Sequence, residues 1–383
     1  VKHLLSPAEA NRHGELVALI EGAWGERAAE WERTGDFPDE VVRWCADQGL
    51  LGASLPAEWG GGGVSALETG LTHEALGGVS ASLASLVNVH GMAAHTIAKW
   101  GTEDQWARIM PALAKGERLA AVCMTEPQAG SDLSLLTTEL GVHEDRLVLN
   151  GTKVFITFGA MADVFLVFAQ RAGRSVACFV ERGTPGLRTE PMEDLLGLRA
   201  ARLARVEFED CEVSPENVVG RDGFGVSVLA PVALEHGRHA VAWMAVGMLR
   251  SVFEAAAAFA AERRAFGATL IEHGQIQTLI TRMGTDLEAA RLLCVAASRA
   301  MDAGDPAMTD RVLMAKYFAC RALEEHASQA VQILGSSGVL GAGVAARTYR
   351  DAKVLNIIEG TGQIIERMLA PSLVRAAARG RAT

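Results

Sequence analysis

The spacing of apolar residues changes twice along this sequence, and that limits the folds open to it. From Ser6 to about Lys115, Ala/Leu/Glu-rich segments repeat at helical spacing. From about Leu119 to Val219 the apolar residues alternate or run in short blocks, and from Gly225 onward helical spacing returns over long stretches. At 383 residues the chain exceeds what one core organises. The expectation is a mainly α protein with a central β domain: helical domain 1–118, β domain 119–222, helical-bundle domain 223–383.

Local signals refine the outline. Ser6-Pro7 reads as an N-cap and first-turn pair, and Pro38 marks another helix start. LPAEWGGGGVS interrupts the first helices. Its four glycines lack a preceding strand and a following Lys-Ser/Thr, so they read as a helix–helix connection rather than a phosphate loop. In RLVLNGTKVFITF, Asn150-Gly151 between two alternating runs predicts an antiparallel hairpin. DVFLVFA, SVACFVE and LARVEFEDCEV read as further strands of an antiparallel domain, with turns at Gly183–Gly186 and Ser214-Pro215. Helices are then expected from Val228 to about Gly267, at 275–303, 306–334 and 361–378, with a break at 335–343.

Composition excludes several classes. The net charge is -10 with no basic tail or cluster, which argues against a nucleic-acid partner. The six cysteines are scattered, with no CxxC pair, so neither a metal site nor a disulfide framework is expected. Free thiols suit a reducing compartment. No stretch reads as a bilayer span and the first residues lack a signal-peptide apolar region, so a soluble, cytoplasmic protein with no membrane partner is expected.

Four stretches concentrate chemistry. Ala121–Ser134 gathers Thr125, Glu126, Gly130, Ser131 and Asp132 in a non-periodic turn. It is either a surface loop or a turn whose N–H groups hold a polar ligand. In KVFITFG, Thr157 ends an apolar strand, as a plain terminus or facing a ligand. In AERRAFG, Arg263 and Phe266 are placed one helical turn apart. Arg263 there is either a phosphate clamp or a solvated charge favoured by the helix dipole. In NIIEGTGQIIE, Glu359 precedes Gly360-Thr361-Gly362. It is a charge at a helix start capped by Thr361, or a base held against apolar neighbours.

Taken in order, MTEPQAGSD, KVFIT, ERRAFG, QILGSSG and IIEGTGQI make the whole chain resemble the acyl-CoA dehydrogenase family. The resemblance implies two helical domains, the second a four-helix bundle, flanking a β domain that binds FAD, in a homodimer or homotetramer. It implies that Thr125, Gly130 and Ser131 hydrogen-bond the flavin and its pyrophosphate region. Phe155 and Thr157 would lie beside the isoalloxazine, and Gly360 and Thr361 would line it. Arg263, Phe266, Gln332 and Gly335 would hold the FAD of a neighbouring subunit. Glu359 matches the family's catalytic base, while Arg238 and Glu235 fall where substrate is contacted. Ile357 and Ile358 would help exclude water from that base.

The chemistry such a site needs is specific. An α-hydrogen of a thioester is weakly acidic, so a carboxylate must take it while hydrogen bonds stabilise the enolate-like carbonyl. Gly237 stands where some relatives place the base, which leaves Glu359 alone in that role. Ala265, Gly274 and Ser336 depart from the usual Gln, Gln and Gly. HGMAAHTIAKWG, QAGSDLS, GRHAVAW and YRDAKVLNIIEG look most like a branch acting on small polar acyl groups on an acyl carrier protein, in polyketide and antibiotic pathways. The implied partners are an acyl thioester on carrier protein or CoA and an electron acceptor such as electron-transfer flavoprotein. A short- or branched-chain acyl-CoA dehydrogenase is one alternative, and a flavin oxidase or monooxygenase on the same scaffold is another.

Overall fold

The computed structural model describes residues 5–379. Six helices open the chain: α1 (Pro7–Trp24), α2 (Ala28–Thr34), α3 (Asp39–Asp47), α4 (Ala66–Val79), α5 (Ala81–Trp100) and α6 (Glu103–Ala114). Ser6 caps α1 with Glu9 in a reciprocal capping box, as Ser65–Glu68 does for α4 and Thr102–Gln105 for α6. Pro38 is the N-cap of α3. The Gly60–Gly63 run connects α3 to α4, after a 3-10 turn at Ala57–Trp59. Residues on every face of α4 and α5 are buried, because the second helical domain covers the side the first leaves bare.

The middle domain is a sheet of eight strands. They are β1 (Ala120–Cys123), β2 (Glu139–His143), β3 (Arg146–Ile156), β4 (Val164–Arg171), β5 (Arg174–Glu181), β6 (Leu187–Pro191), β7 (Ala204–Val213) and β8 (Val218–Val219). The order is β6-β7-β3-β2-β4-β5-β8, with β1 beside β4. Pairings are antiparallel except that β1 and the first residue of β2 lie parallel to β4. β4 is buried on both faces: Phe165, Val167 and Ala169 enter the sheet's own core, while Val164, Leu166 and Phe168 join the main core. That accounts for its unbroken apolar run.

The expected Asn150-Gly151 hairpin is wrong. β3 runs straight through both residues, and the register against β7 slips between Leu149 and Gly151. The extra residue lies on β7, where Glu209 and Asp210 stand opposite Asn150 alone, with Asp210 at φ 49° and Gly151 at φ 149°. The actual turn is Glu144-Asp145, which joins His143 to its partner Arg146 with φ of 48° and 62°. Positive φ at both central residues is the type I′ geometry that fits strand twist, reached here without glycine.

After a π turn at Gly225–Leu229, α7 (Ala230–Glu262) runs through the middle of the molecule. It packs on α4 and α5 and on α8 (Gly274–Asp302), α9 (Met308–Leu334) and α10 (Val344–Ile357); α11 (Gly362–Arg379) packs on α9. α10 was not anticipated. The expectation of no membrane-length stretch also needs correcting, since Gly225–Glu262 is long and apolar enough to span a bilayer. Its apolar length serves a core: Val241 to Val246 are all buried against the neighbouring helices.

Arg263 and Phe266 are not one helical turn apart. Arg263 ends α7 with extended backbone, and a ribbon of β9 (Arg264–Ala265) and β10 (Ala268–Thr269) follows. Phe266 sits in its turn at φ 52°, almost wholly exposed.

Candidate active site

Glu359 lies in the short link between α10 and α11, not within a helix. Its φ is 56°, a left-handed conformation uncommon for a residue with a side chain. Two buried cations hold the link through its backbone. Arg238 Nε on α7 donates to the Glu359 carbonyl at 2.9 Å, and Lys316 Nζ on α9 donates to the Gly360 carbonyl at 2.8 Å. Thr361 Oγ1 accepts from the Ile364 N–H and starts α11. Among the described residues the Glu359 N–H makes no hydrogen bond.

The carboxyl turns toward α7 and α5. A Cβ at Gly237 would lie 2.7 Å from Glu359 Cδ and 2.9 Å from Met92 Sδ, so only glycine admits the carboxyl here. Burial raises the Glu359 pKa to about 7, against the opposing pull of Arg238 and Lys316. Burial lowers the pKa of both cations, with Glu359 acting the other way on each. Ile358 packs on the main core, but Ile357 is half exposed and does not cover the carboxyl.

Arg238 also faces a cleft of about 200 Å³ on its other side. Leu133 from the 121–134 loop, Leu234 and Glu235 of α7, Val312 of α9 and Met368 of α11 line it. The cleft therefore brings the β-domain loop to Arg238, and Arg238 in turn binds the Glu359 link. Glu235 accepts from the Thr309 hydroxyl at 3.1 Å on this wall. Cavities of about 370 and 380 Å³ lie elsewhere, on the face of β2, β3 and β7 and between α1 and α4.

The 121–134 loop is not a loose surface turn. Glu126 is buried and accepts from Lys153 Nζ at 2.8 Å and from the Thr137 and Thr138 N–H groups at 2.7 and 3.0 Å. Burial would raise its pKa, but these hydrogen bonds, Lys153 foremost, bring it down to about 2. Val154 N–H donates to the Thr125 carbonyl at 3.0 Å, which fixes Thr125 beside β3. Gly130 and Ser131 are exposed, and Asp132 is spent on capping Ser134.

The residues around this loop fit a planar cofactor with a polar rim. Phe155 is 56% exposed at φ 57°, a large ring held out at strained backbone. The half-buried hydroxyls of Thr125 and Thr157 make no hydrogen bond among the described residues. An uncovered ring beside two unused hydroxyls suits a flat, hydrogen-bonding group.

Arg263, Phe266, Gln332 and Gly335 are exposed and are not brought to Glu359 within one chain. Arg263 ends α7 about 37 Å from Arg238, at about 1.5 Å per residue. Lys153, Lys316 and Met92 were missed in the sequence. The only signal was a lysine in each of two apolar runs, KVFI and LMAKYFA.

Three family models match the chain: acyl-CoA dehydrogenase N-terminal domain over residues 15–117, middle domain over 121–211 and C-terminal domain over 222–374. Mitochondrial isobutyryl-CoA dehydrogenase of Dictyostelium discoideum is 32% identical, over 90% of this chain and 84% of its own. A chain solved in work on the electron transferring flavoprotein of Acidaminococcus fermentans superposes with TM-score 0.92 at 31% identity, over 97% of this chain and 99% of that one. FkbI, solved for biosynthesis of the methoxymalonyl extender unit of the polyketide Fk520, gives TM-score 0.87 at 36% identity, over 94% and 99%.

Proposed function

The chain belongs to the acyl-CoA dehydrogenase family of FAD-dependent oxidoreductases acting on acyl thioesters, and from that premise we propose that it dehydrogenates a small polar acyl group carried by an acyl carrier protein. One observation carries the chemistry. Glu359 is a carboxylate with a pKa near 7 whose neighbouring cations bind backbone carbonyls rather than the carboxylate itself. It is thus basic enough to take an α-proton at neutral pH, and unpaired enough to reach it.

FAD, when bound, supplies the hydride acceptor. Thr125, Gly130, Ser131, Phe155, Thr157 and Thr361 would hold it, with Gly360 beside them. The free Glu359 N–H is the chain's own donor for the thioester carbonyl, where negative charge develops. The thioester arm occupies the cleft beside Arg238 and Glu235, with the acyl group turned toward Gly237. Arg263, Phe266, Gln332 and Gly335 complete the FAD site of a second copy, so the working form is a homodimer or homotetramer. Electron-transfer flavoprotein is the proposed acceptor, in line with the Acidaminococcus neighbour.

The carrier-protein assignment leans on the FkbI likeness, and the isobutyryl-CoA relative favours the second reading, a short- or branched-chain acyl-CoA dehydrogenase. Anaerobic titration with the same acyl groups on CoA and on carrier protein, following flavin bleaching, separates them. Efficient bleaching by simple acyl-CoA, with none by loaded carrier protein, would reverse the proposal.

A further inference from the structure

The cleft beside Arg238 has α11 for one wall, and the chemistry of that helix bears on what can bring a thioester to it. Leu133 of the β-domain loop and Met368 of α11 both line the cleft. Their neighbours in sequence, Asp132 and Arg367, are exposed. The Asp132 pKa is lowered first by hydrogen bonds from Ser134 and then also by Arg367, so that guanidinium stands within electrostatic reach of the loop. Arg367 therefore sits at the rim of the cleft rather than on a remote face.

In a chain of net charge -10, α11 is basic: it carries Arg367, Arg375 and Arg379 against one acid, Glu366. The helical repeat sorts these charges. Ile365 and Leu369 are buried with Leu313 of α9 and mark the inner side. Met368 and Arg375, about two turns apart, share the cleft side, and Arg367 borders it. Glu366 falls on the opposite side, where its carboxylate accepts from the Tyr317 hydroxyl at 2.6 Å. The other acids near the rim are also engaged within the chain. Asp310 accepts from the Ser372 hydroxyl, Asp132 from Ser134 at 2.6 Å and Glu235 from Thr309. Arg367 and Arg375 make no hydrogen bond or ion pair among the described residues.

Apolar side chains lie bare among these cations. Met368 is 41% exposed and Val374 69%, and Leu135 on the facing loop is 52%. A lone phosphate needs its cations converged on one point, whereas Arg367 and Arg375 are spread over about 12 Å of helix. Spread, uncommitted cations interleaved with apolar side chains match the acidic surface of a macromolecule. Resting on the carrier-protein reading above, we propose that the cleft side of α11, from Arg367 to Arg375, is the docking surface for an acidic face of the carrier protein. Its thioester arm then enters the cleft between Leu133 and Met368. A CoA thioester brings phosphates but no protein face, and uses the cleft without that surface.

The probe is a free-standing acidic acyl carrier protein bearing its phosphopantetheine arm, with CoA as the control that lacks the protein. Dissociation constants are measured with the FAD-loaded enzyme, by fluorescence anisotropy for the carrier and calorimetry for CoA. Reversing both charges, Arg367→Glu with Arg375→Glu, should weaken carrier binding at least about tenfold and CoA binding less than about threefold. Arg367→Gln with Arg375→Gln, a milder change, should give an intermediate loss with FAD content unchanged. Arg43→Glu with Arg174→Glu, at exposed positions on α3 and β5, changes the net charge equally and should leave carrier binding within about twofold. Carrier binding that survives both α11 pairs, or falls as far with the control pair, overturns the docking surface alone. An equal loss for CoA overturns it too, since the arginines then serve only a phosphate. A wild-type enzyme that binds CoA but no carrier protein overturns the carrier-protein reading and the surface with it.

Discussion

Glu126 and Glu359 are both glutamates beside a buried lysine, yet their carboxyls are driven in opposite directions. Lys153 donates straight into the Glu126 carboxylate, and backbone N–H groups fill its other lone pairs, so the pKa falls to about 2. Lys316 and Arg238 bind the carbonyls of Gly360 and Glu359 and leave the carboxylate without a hydrogen bond, so burial prevails and the pKa rises to about 7. Where the donor hydrogens point, rather than which charges are present, separates an anchor from a base.

The sharpest way to break the comparison is to neutralise the base. Glu359→Gln should keep FAD absorbance and slow flavin bleaching by a good thioester substrate by at least about a hundredfold, the range general bases contribute. Full-rate bleaching in that variant would make Glu359 an ordinary buried acid. Next comes the anchor. Lys153→Met leaves Glu126 buried and uncompensated, which should cost about 3 kcal/mol in urea unfolding. It should also loosen the 121–134 loop and weaken FAD retention on dilution. A variant with wild-type stability would show that the N–H groups alone hold Glu126.

Lys316→Met probes the same contrast from the other side. Removing a cation near Glu359 should raise its pKa further, so less of it is the base form at pH 7. The rising limb of the rate–pH profile, centred near pH 7 in wild type, should move to higher pH, and the rate at pH 7 should fall several-fold. A vertical drop with an unmoved midpoint would mean that Lys316 only shapes the link.

These roles explain how far the sequence could be read. The three-part order was legible because hydrophobic period is local, and the Ser6-Pro7 and Thr361 caps because capping spans a few residues. Asn150-Gly151 misled because the glycine permissiveness that suits a hairpin turn also suits a strand position beside a partner's bulge, and pairing with distant β7 decides between them. Glu359 stood out only through the motif resemblance. Its link is held by Arg238 and Lys316, and Lys316 precedes it by 43 positions along the chain. Lys153 was invisible for the same reason, since a lysine in a strand carries no local sign of its partner.

The smallest effect extends the comparison to a third buried carboxyl. Asp351 on α10 accepts from the Leu198 N–H at 2.8 Å, where the two helical domains and the β domain meet. Burial and the nearby Glu32 raise its pKa to about 7, while the Leu198 hydrogen bond, Arg347 and Arg350 work against the rise. Like Glu359, it holds its proton more tightly folded than unfolded. A raised folded pKa contributes stability that is fully present below the unfolded value, near 4, and lost as pH climbs through about 7. The melting temperature should therefore decline between pH 5 and pH 8, whereas Glu126, lowered to about 2, gives the opposite slope only below about pH 4.5. Asp351→Asn keeps the acceptor for Leu198 and removes the titration, so the decline should shrink by about 2 °C. An unchanged slope would assign it to Glu359, and Glu359→Gln should then flatten it instead.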